Sequence, residues 1–500
     1  MQTAATAQHT ISLRQLLPEA EFFGATDVHI NRCARDSRRV EPGDLYVALV
    51  GITHDGHEFI SEAIERGAAV IVAQRPVGDV AAPTCIVPDT AEAYGHICQA
   101  LAGDPSRRLK VVGVTGTNGK PTTSCLIASI LATAGHQVGL LGTLAYFDGA
   151  VSAESSMTTP PAEELAGWFS RMVANGCSHA VMEVSSHALA QSRLAGVSLD
   201  AACVTNVRRD HLDYHQTMLG YRLAKSRIFR HLAPEAFAVI NADDPTAAGY
   251  LHQVDGPVLT VGIRNAAEIM ATPLEHRRSQ QVFLLSAGSE SIPVETDMIG
   301  THHIYNCLVA AAVGLTYGVD LPTVVRGLEA VKSVPGRLQR LECGQPFGVF
   351  VDYAHTPDAL AAVLQTLREV TPGRLICVFG AGGDRDKEKR PAMAAEVRAA
   401  ADMAIITTDN PRSEDPQAIA ADLLSGFDDP ARAAQIPDRA RAIRFAIAEA
   451  RPGDCVLIAG KGHEQFQFIG GERLAFDDCE VARHWLYQQS AVNDQPSANG

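Results

Sequence analysis

The sequence has no CxxC pair, no long apolar run, no excess of basic residues and no internal repeat. Each absence closes off a class of function. Its 11 cysteines stand singly, Cys33, Cys85, Cys98, Cys125 and Cys177 among them, mostly inside apolar runs. That spacing excludes a zinc ribbon or a disulfide framework and suits buried, reduced thiols. No apolar stretch reaches the roughly 18 residues a membrane span needs, and no basic-then-apolar leader opens "MQTAATAQHTISLRQLL". The chain is therefore expected to stay in the cytoplasm. A net charge of −15 excludes a general binder of nucleic acid or anionic membrane, although a local basic pocket remains compatible with it. Without a repeat of roughly 20 to 50 residues, solenoid and propeller architectures are out as well.

What is present is an ordinary globular composition, 46% hydrophobic and 20% charged, over 500 residues. A single core stops growing at about 250 to 300 residues, so roughly three domains are expected. Short β-rich runs ending in glycine or a polar cluster alternate with helical patterns: "LKVVGVTG", "HAVMEVSSH", "AACVTNVRRDH", "FAVINADDP". This is the rhythm of a doubly wound parallel sheet, whose ligands sit at the carboxyl ends of the strands. A second series, "FGVFVDYAH", "RLICVFGAGGDRD", "DMAIITTDNPR" and "DCVLIAGKGHE", follows the Pro335-Gly336 turn. The expected class is α/β in three domains: a small first unit over residues 1–107, a central nucleotide-binding unit with a mainly parallel sheet over 108–334, and a Rossmann-like unit over 335–487. The polar stretch 488–500 reads as a disordered tail.

The stretch "GVTGTNGKPTTSC" joins a strand to a helix through a glycine-rich turn. Gly116, Thr117, Asn118 and Gly119 can bring backbone N–H groups close to phosphate oxygens at a helix N-terminus, where Lys120 adds a positive charge. Pro121 then stands where such loops carry a metal-binding hydroxyl. It suits the first helical turn, which tolerates a missing N–H, but it cannot ligate a metal. The hydroxyl falls to Thr122 or Thr123, or water takes its place.

Other strand ends carry ionisable groups. "MEVSSHAL" places Glu183 in an apolar run, where a carboxylate is costly to bury unless paired or bound to a cation such as Mg²⁺. "TNVRRDHLDYH" adds Asp210, His211, Asp213 and His215, and "YRLAKSRIF" puts Lys225 on a helix, where periodicity alone suggests a surface lysine.

In this order, "GTNGK", "MEVSSHAL", "TNVRRDHLDYH", "YRLAKSRIF", "VPGRLQR", "VDYAHTPDAL", "GAGGDRDKEKRP", "DNPRSEDP" and "GKGHE" resemble the Mur ligases across nearly the whole chain. The resemblance implies an ATP-dependent amide ligase using Mg²⁺ and acting, as a monomer, on a UDP-muramoyl dipeptide. It places Ser37 in a UDP-binding first domain, and Thr158, Thr159, Ser185, Gln191 and Arg193 on the dipeptide. It implies that Lys225 is carbamylated and shares the metal with Glu183, His211 and Thr122, and that Asn306, Arg337, Asp352 and His355 face ATP. Two departures stand out: Pro121, and His302-His303 where the family usually has Phe or His followed by Asn.

The incoming amino acid is expected at "DNPR", Asp409, Asn410, Pro411 and Arg412, and at Gly460 and Glu464 of "GKGHE". Meso-diaminopimelate carries a second amino acid centre at its far end, so its pocket needs donors for a carboxylate and an acid for an ammonium. Arg412 with Arg385 can supply the first and Glu464 the second. L-lysine lacks the distal carboxylate and would leave an arginine unpaired. A folylpolyglutamate synthase shares the fold and loop, but "DNPR" and the UDP-side matches speak against it. An ATP hydrolase driving motion, or a binder without turnover, is the further alternative.

Overall fold

Three runs of β-branched strands build the three large sheets of the computed structural model, beside two two-stranded ribbons; the structure describes residues 10–51, 54–78, 80–277 and 279–493. The first holds five short strands in the order Glu21–Phe23, Thr84–Ile86, Val70–Ala73, Leu45–Val47 and Cys33–Ala34, parallel except at the first pair.

The second sheet has 11 strands. Its centre is Lys110–Thr115, flanked in parallel by His179–Glu183 and Leu199–Val204. Every residue of Lys110–Thr115 after the first is buried, as expected of a strand covered on both faces. On one face the helix Lys120–Thr133 sets Leu126, Ile127, Ile130 and Leu131 against the sheet and against the helices Thr301–Thr316 and Leu321–Ala330. The helices meet so closely that a Cβ on Gly327 would lie 2.6 Å from the Cα of Ile130. Burying a side chain such as Ile130 contributes about 1.5–3 kcal/mol. On the other face Leu165, Phe169 and Met172 of Ala162–Ala174 close the core. The sheet departs from a purely parallel plan at its ends: Ile269–His276, Gln281–Ala287 and Glu290–Thr296 form an antiparallel ribbon. The Arg277 N–H donates to the Gln280 carbonyl at 2.8 Å between the first two strands, and Gly288, at φ +58°, turns the chain between the second and third, so this edge is built of hairpins in an otherwise mainly parallel sheet.

The third sheet runs Gln339–Arg340, Gly348–Asp352, Cys455–Ala459, Leu375–Phe379, Met403–Ile406, Ala433–Gln435, parallel but for its first strand. Leu360, Leu364 and Leu367 cover one face; Ile443, Ile447 and Leu486 cover the other. A buried ion pair ties its last helix down: Arg439 Nε and Nη2 donate to Asp478 Oδ1 and Oδ2 at 2.7 and 2.8 Å, and neither side chain is exposed. That helix, Asp478–Asn493, corrects the expected start of a tail at residue 488. Ala482 and Leu486 anchor it, and the helix runs into the polar stretch as far as Asn493; residues 494–500 lie outside the described part. Gly336, at φ +64°, lies against the third unit's ligand loop, where a Cβ would come within 2.1 Å of the His463 nitrogen.

Candidate active site

The glycine-rich turn is shaped by what surrounds it. A Cβ on Gly116 would lie 1.9 Å from Thr205 Oγ1, and one on Gly119 2.4 Å from Asn306 Oδ1, so no larger residue fits either place. Thr205 Oγ1 and Asn206 Nδ2 donate to the Asn118 carbonyl at 2.6 and 3.0 Å, while Asn118 N–H donates to Asn206 Oδ1 at 3.0 Å. Thr117 Oγ1 donates to the Arg208 carbonyl and sits 3.0 Å from the Tyr221 hydroxyl. Lys120 Nζ folds back onto the Gly116 and Thr117 carbonyls at 2.9 Å each, and Lys225 Nζ reaches the same Gly116 carbonyl at 2.8 Å. Two amines, that of Lys225 buried and that of Lys120 half-buried, thus share one acceptor. Burial lowers the Lys120 pKa, opposed by Glu183 and reinforced by Arg337. Burial and then the charge of Lys120 push Lys225 well below the usual lysine range. Lys225 is 1% exposed, contrary to the surface position that periodicity alone suggests.

Pro121 occupies the first turn of Lys120–Thr133, as its geometry requires. The two hydroxyls after it are not equivalent. Thr123 Oγ1 donates to Asn306 Oδ1 at 3.2 Å, whereas Thr122 lines the cavity in front of the loop.

Glu183 ends its strand 2% exposed, accepting from Thr143 N–H at 2.7 Å and from Thr143 Oγ1 at 2.8 Å. Burial raises its pKa against the pull of Lys120. His211, at φ +53°, stands just before the turn Leu212–His215, with Nε2 3.5 Å from Asp210 Oδ2 and its ring 4.8 Å from that of His187. Burial drives the His211 pKa down despite Asp210, with Lys120 and Lys225 adding to the effect. Among the described residues no three His, Cys, Asp or Glu side chains form a ready metal cage. The oxygens of Glu183 and Thr122 and a neutral His211 nonetheless suit Mg²⁺, which commonly takes one or two protein ligands and completes its shell with phosphate and water. Lys225 joins such a set only as a carbamate.

In front of the loop lies a cavity of about 430 Å³, lined among others by Asn118, Gly119, Thr122, Asn306, Arg337, Asp352 and His355. The predicted nucleotide-facing residues of the second and third units therefore meet in one place. Asp352 accepts from the N–H groups of Leu338 and Ala354 at 2.5 and 2.7 Å, and the Arg337 guanidinium lies 4.6 Å over the Tyr353 ring. His355 Nδ1 is 2.8 Å from the Tyr353 carbonyl, and burial holds its pKa down at about 4. His302 and His303 line the same cavity, and neither ring nitrogen of His303 has a partner.

The dipeptide-side residues form their own network. Thr159 Oγ1 donates to the Glu183 carbonyl at 2.9 Å and accepts from Ser185 N–H at 3.0 Å; the Thr158 and Thr143 hydroxyl oxygens lie 3.2 Å apart. Arg193 donates to the Thr159 carbonyl at 2.8 Å and, through Nε and Nη2, to Gln191 Oε1 at 3.1 and 2.7 Å. Ser37 lies apart, in a cavity of about 740 Å³ with Arg32, Arg35, Arg38 and Arg39, its hydroxyl donating to Glu62 at 2.8 Å. The same cavity is also lined by Asp36, Glu62 and Glu163, and Arg38 is paired with Asp36 and Arg32 with Asp44.

On the third sheet, Arg412 Nη1 donates to the Gly383 carbonyl at 2.7 Å. A Cβ on Gly382 would touch both Arg412 Nη1 and Arg385 Cγ, at 3.0 and 4.0 Å, so the two arginines flank one backbone position. Asn410 Nδ2 donates to Glu464 Oε2 at 2.7 Å. Asp409 Oδ2 has no partner and lies 2.3 Å from where a Cβ on Gly460 would be, which explains the glycine. Pro411 is buried, its carbonyl accepting from Glu414 N–H at 3.0 Å. The His187 ring packs against those of His211, Tyr214 and His215. Burial lowers its pKa against Asp213, with Arg193 of the second unit and Arg385 of the third both reinforcing the shift.

Family models match along the chain: "Mur ligase family, catalytic domain" over residues 29–100, "Mur ligase middle domain" over 114–314 and "Mur ligase, glutamate ligase domain" over 336–462. The chain is 44% identical over 455 residues to the UDP-N-acetylmuramoyl-L-alanyl-D-glutamate–2,6-diaminopimelate ligase of Geobacillus thermodenitrificans, covering 90% of this chain and 93% of that one. It is 39% identical over 477 residues to the ligase of the same name from Listeria monocytogenes, covering 94% and 97%. The chain belongs to the Mur ligase family. A solved structure titled as the same diaminopimelate ligase superposes on this Mur ligase with a TM-score of 0.68 at 33% identity, over 96% of this chain and 99% of the other. The MurF ligase of Thermotoga maritima in complex with ADP shares the fold at 19% identity, with a TM-score of 0.63 over 92% and 98%.

Sequence reasoning overlooked several residues that the Mur ligase fold brings to these clusters. Lys461 is fully buried beside Glu464, and Tyr353 lies under Arg337. His187 stood in a quoted motif without a role. Lys461 had a readable signal, since a lysine between two glycines after an apolar strand is oddly placed for a surface residue. Nothing local marks the other two.

Proposed function

We propose that this Mur ligase joins meso-2,6-diaminopimelate to the D-glutamyl γ-carboxylate of UDP-N-acetylmuramoyl-L-alanyl-D-glutamate, consuming ATP in peptidoglycan precursor synthesis. The cavity in front of the glycine-rich turn carries the reading, since Asn118, Thr122 and Asn306 of the second unit line it together with Arg337, Asp352 and His355 of the third. Arg193, on the dipeptide side, and Arg385, on the amino acid side, both bear on the charge of His187. A ligase needs its nucleotide where the units that carry its other two substrates face each other.

In the reaction, a γ-carboxylate oxygen of the substrate bonds to the γ-phosphorus of ATP and ADP leaves, giving an acyl phosphate. Lys120 moves from its loop carbonyls to the charge developing on the phosphoryl oxygens, and Arg337 stands at the same mouth. The amine of diaminopimelate attacks the acyl carbon, loses a proton, and the tetrahedral intermediate expels phosphate to leave an amide. Mg²⁺, held by Glu183, His211, Thr122 and carbamylated Lys225, would neutralise phosphate charge. Ser37 and its arginines bind the UDP end. Arg412 and Arg385 take the distal carboxylate and Glu464 the distal ammonium.

The site draws on all three units of one chain, which supports a working monomer. Among the described residues no helix is long and apolar enough to cross a membrane. All 11 cysteines are free, which suits the cytoplasm, where precursors of this kind are made. Incubation with the UDP-dipeptide, ATP, Mg²⁺ and a panel of amino acids tests the proposal. One amide-linked UDP-tripeptide per phosphate released, with meso-diaminopimelate strongly preferred, is expected. Efficient addition of L-lysine would sink the substrate assignment, and phosphate release without product would sink the ligase reading.

A further inference from the structure

The loop that carries Arg412 is not held by the third sheet alone. Arg412 sits at φ +54°, in the left-handed region, where a non-glycine residue stays only when its surroundings require it. A hairpin of Phe466–Ile469 and Glu472–Ala475 supplies the requirement. Arg412 N–H donates to the Phe468 carbonyl at 3.0 Å, and Gly470 N–H donates to the Arg412 carbonyl at 3.1 Å, so the loop joins the hairpin's edge by one parallel bridge. Phe468 N–H donates to Asn410 Oδ1 at 3.0 Å, and Gln467 Nε2 to the Thr408 and Asp409 carbonyls at 3.1 and 2.8 Å. On the far side Ser413 is pinned within the third unit, its Oγ donating to Asp384 at 2.6 Å. The hairpin thus grips the loop from Thr408 to Arg412.

The second strand of the hairpin, Glu472–Ala475, is exposed throughout and reaches another unit. There Arg473, opposite Phe468 in the pairing and 3.4 Å over the Phe466 ring, donates through Nη2 to Glu154 Oε1 at 3.1 Å. Glu154 belongs to the second unit, between the strand Ser152–Ala153 and Thr158-Thr159 on the dipeptide side. The loop that carries Arg385 is tied to the same unit as well, Arg209 reaching Asp386 and Glu388. Both pocket arginines therefore stand on loops linked by charge to the second unit. We infer that Arg473 and Glu154 are positioning residues for Arg412. Their pair makes the hairpin a strap: the dipeptide loop holds Arg473, the hairpin holds Arg412, and the Arg412 guanidinium stays beside Arg385, ready for the amino acid. Coupling of this kind is reciprocal, so a settled dipeptide loop raises affinity for the amino acid and the amino acid raises affinity for the dipeptide. The inference rests on the two substrate sites proposed above.

Steady-state kinetics with meso-diaminopimelate, at saturating ATP and UDP-dipeptide, test this on the full-length enzyme and on Glu154→Ala, Glu154→Lys, Arg473→Ala and Glu154→Lys/Arg473→Ala. The Glu154 side chain is 77% exposed and stands on a different unit from the amino acid site, so its loss has no direct route to that substrate. Glu154→Ala should raise KM for diaminopimelate about three- to fivefold, the most an exposed pair supports, and leave kcat and KM for ATP within about twofold. Glu154→Lys should raise KM further by repelling Arg473, whereas in the double variant the lysine should add nothing to Arg473→Ala. An unchanged KM in Glu154→Ala overturns the strap. So does a lysine equally harmful with and without Arg473, or a loss confined to kcat. Wild-type enzyme that does not use diaminopimelate would show instead, before any variant is read, that the amino acid site itself is misassigned.

Discussion

Lys225 is an amine held where an ammonium is costly. Enclosed at 1% exposure beside the half-buried Lys120, it has its pKa pushed well down by burial and then by its neighbour. A neutral amine is the form that attacks CO₂; it gives up a proton, and the carbamate it forms sets an anion next to Lys120. The sign with pH follows. Acidification protonates the amine and disfavours the carbamate, so activity should fall with decreasing pH and recover on adding bicarbonate at fixed pH. Lys225→Ala should lose at least 100-fold in kcat, the size expected when a group supporting transition-state charge is removed, and short carboxylic acids should restore part of it. Bicarbonate depletion that leaves wild-type turnover unchanged would count against the carbamate.

At the scale of the element, the helix Lys120–Thr133 separates what its sequence left open. Thr123 spends its hydroxyl on Asn306, while Thr122 lines the cavity in front of the loop. Thr122→Ala should therefore raise the Mg²⁺ concentration needed for half-maximal rate, and Thr123→Ala should instead raise KM for ATP by loosening Asn306. A magnesium titration of both variants checks this; an unchanged requirement in Thr122→Ala would hand the position to water. The strand, glycine turn and Lys120 were legible because they are contiguous and each has its own backbone or charge requirement. Glu183 was legible because a carboxylate in an apolar run is costly. The choice between the threonines was hidden, since Asn306 lies 183 residues from Thr123. The antiparallel ribbon at Ile269–Thr296 was hidden too, because strand direction is set by pairing and not by composition. Most site residues in the third unit came from the resemblance to a family, since an Asn-Pro turn or a surface-looking arginine has no local signature.

In the molecule as a whole, histidines are as instructive as carboxylates. Burial holds His179 and His231 of the middle unit at about 4, against an ordinary 6.5. Between those values the unfolded chain binds protons that the folded chain refuses, so stability must fall as pH drops below about 6.5. At pH 5 each such ring costs about 2 kcal/mol, and two in one domain lower Tm by roughly 8 °C. Thermal melts from pH 8 to pH 4.5 should show the decline starting in the imidazole range. A flat Tm down to pH 5 would mean that these rings are hydrated. The second and third units also meet through Arg209, whose guanidinium reaches Asp386 and Glu388 at 3.4 and 3.0 Å. Both pairs are partly exposed and add little to stability.

The Arg439–Asp478 pair also bears on how the chain is made. Arg439 is sealed into the third unit, yet its counter-charge arrives 39 residues later, at the head of the final helix. During synthesis the sheet strands up to Cys455–Ala459 leave the ribosome before that carboxylate does. Until then, closing the core would strand a guanidinium in apolar surroundings at a cost of roughly 3–5 kcal/mol. The last unit should thus stay open to proteases until the final helix emerges. A nascent chain stalled after Asp477 should be cut within residues 336–477, while the same chain released at full length should resist.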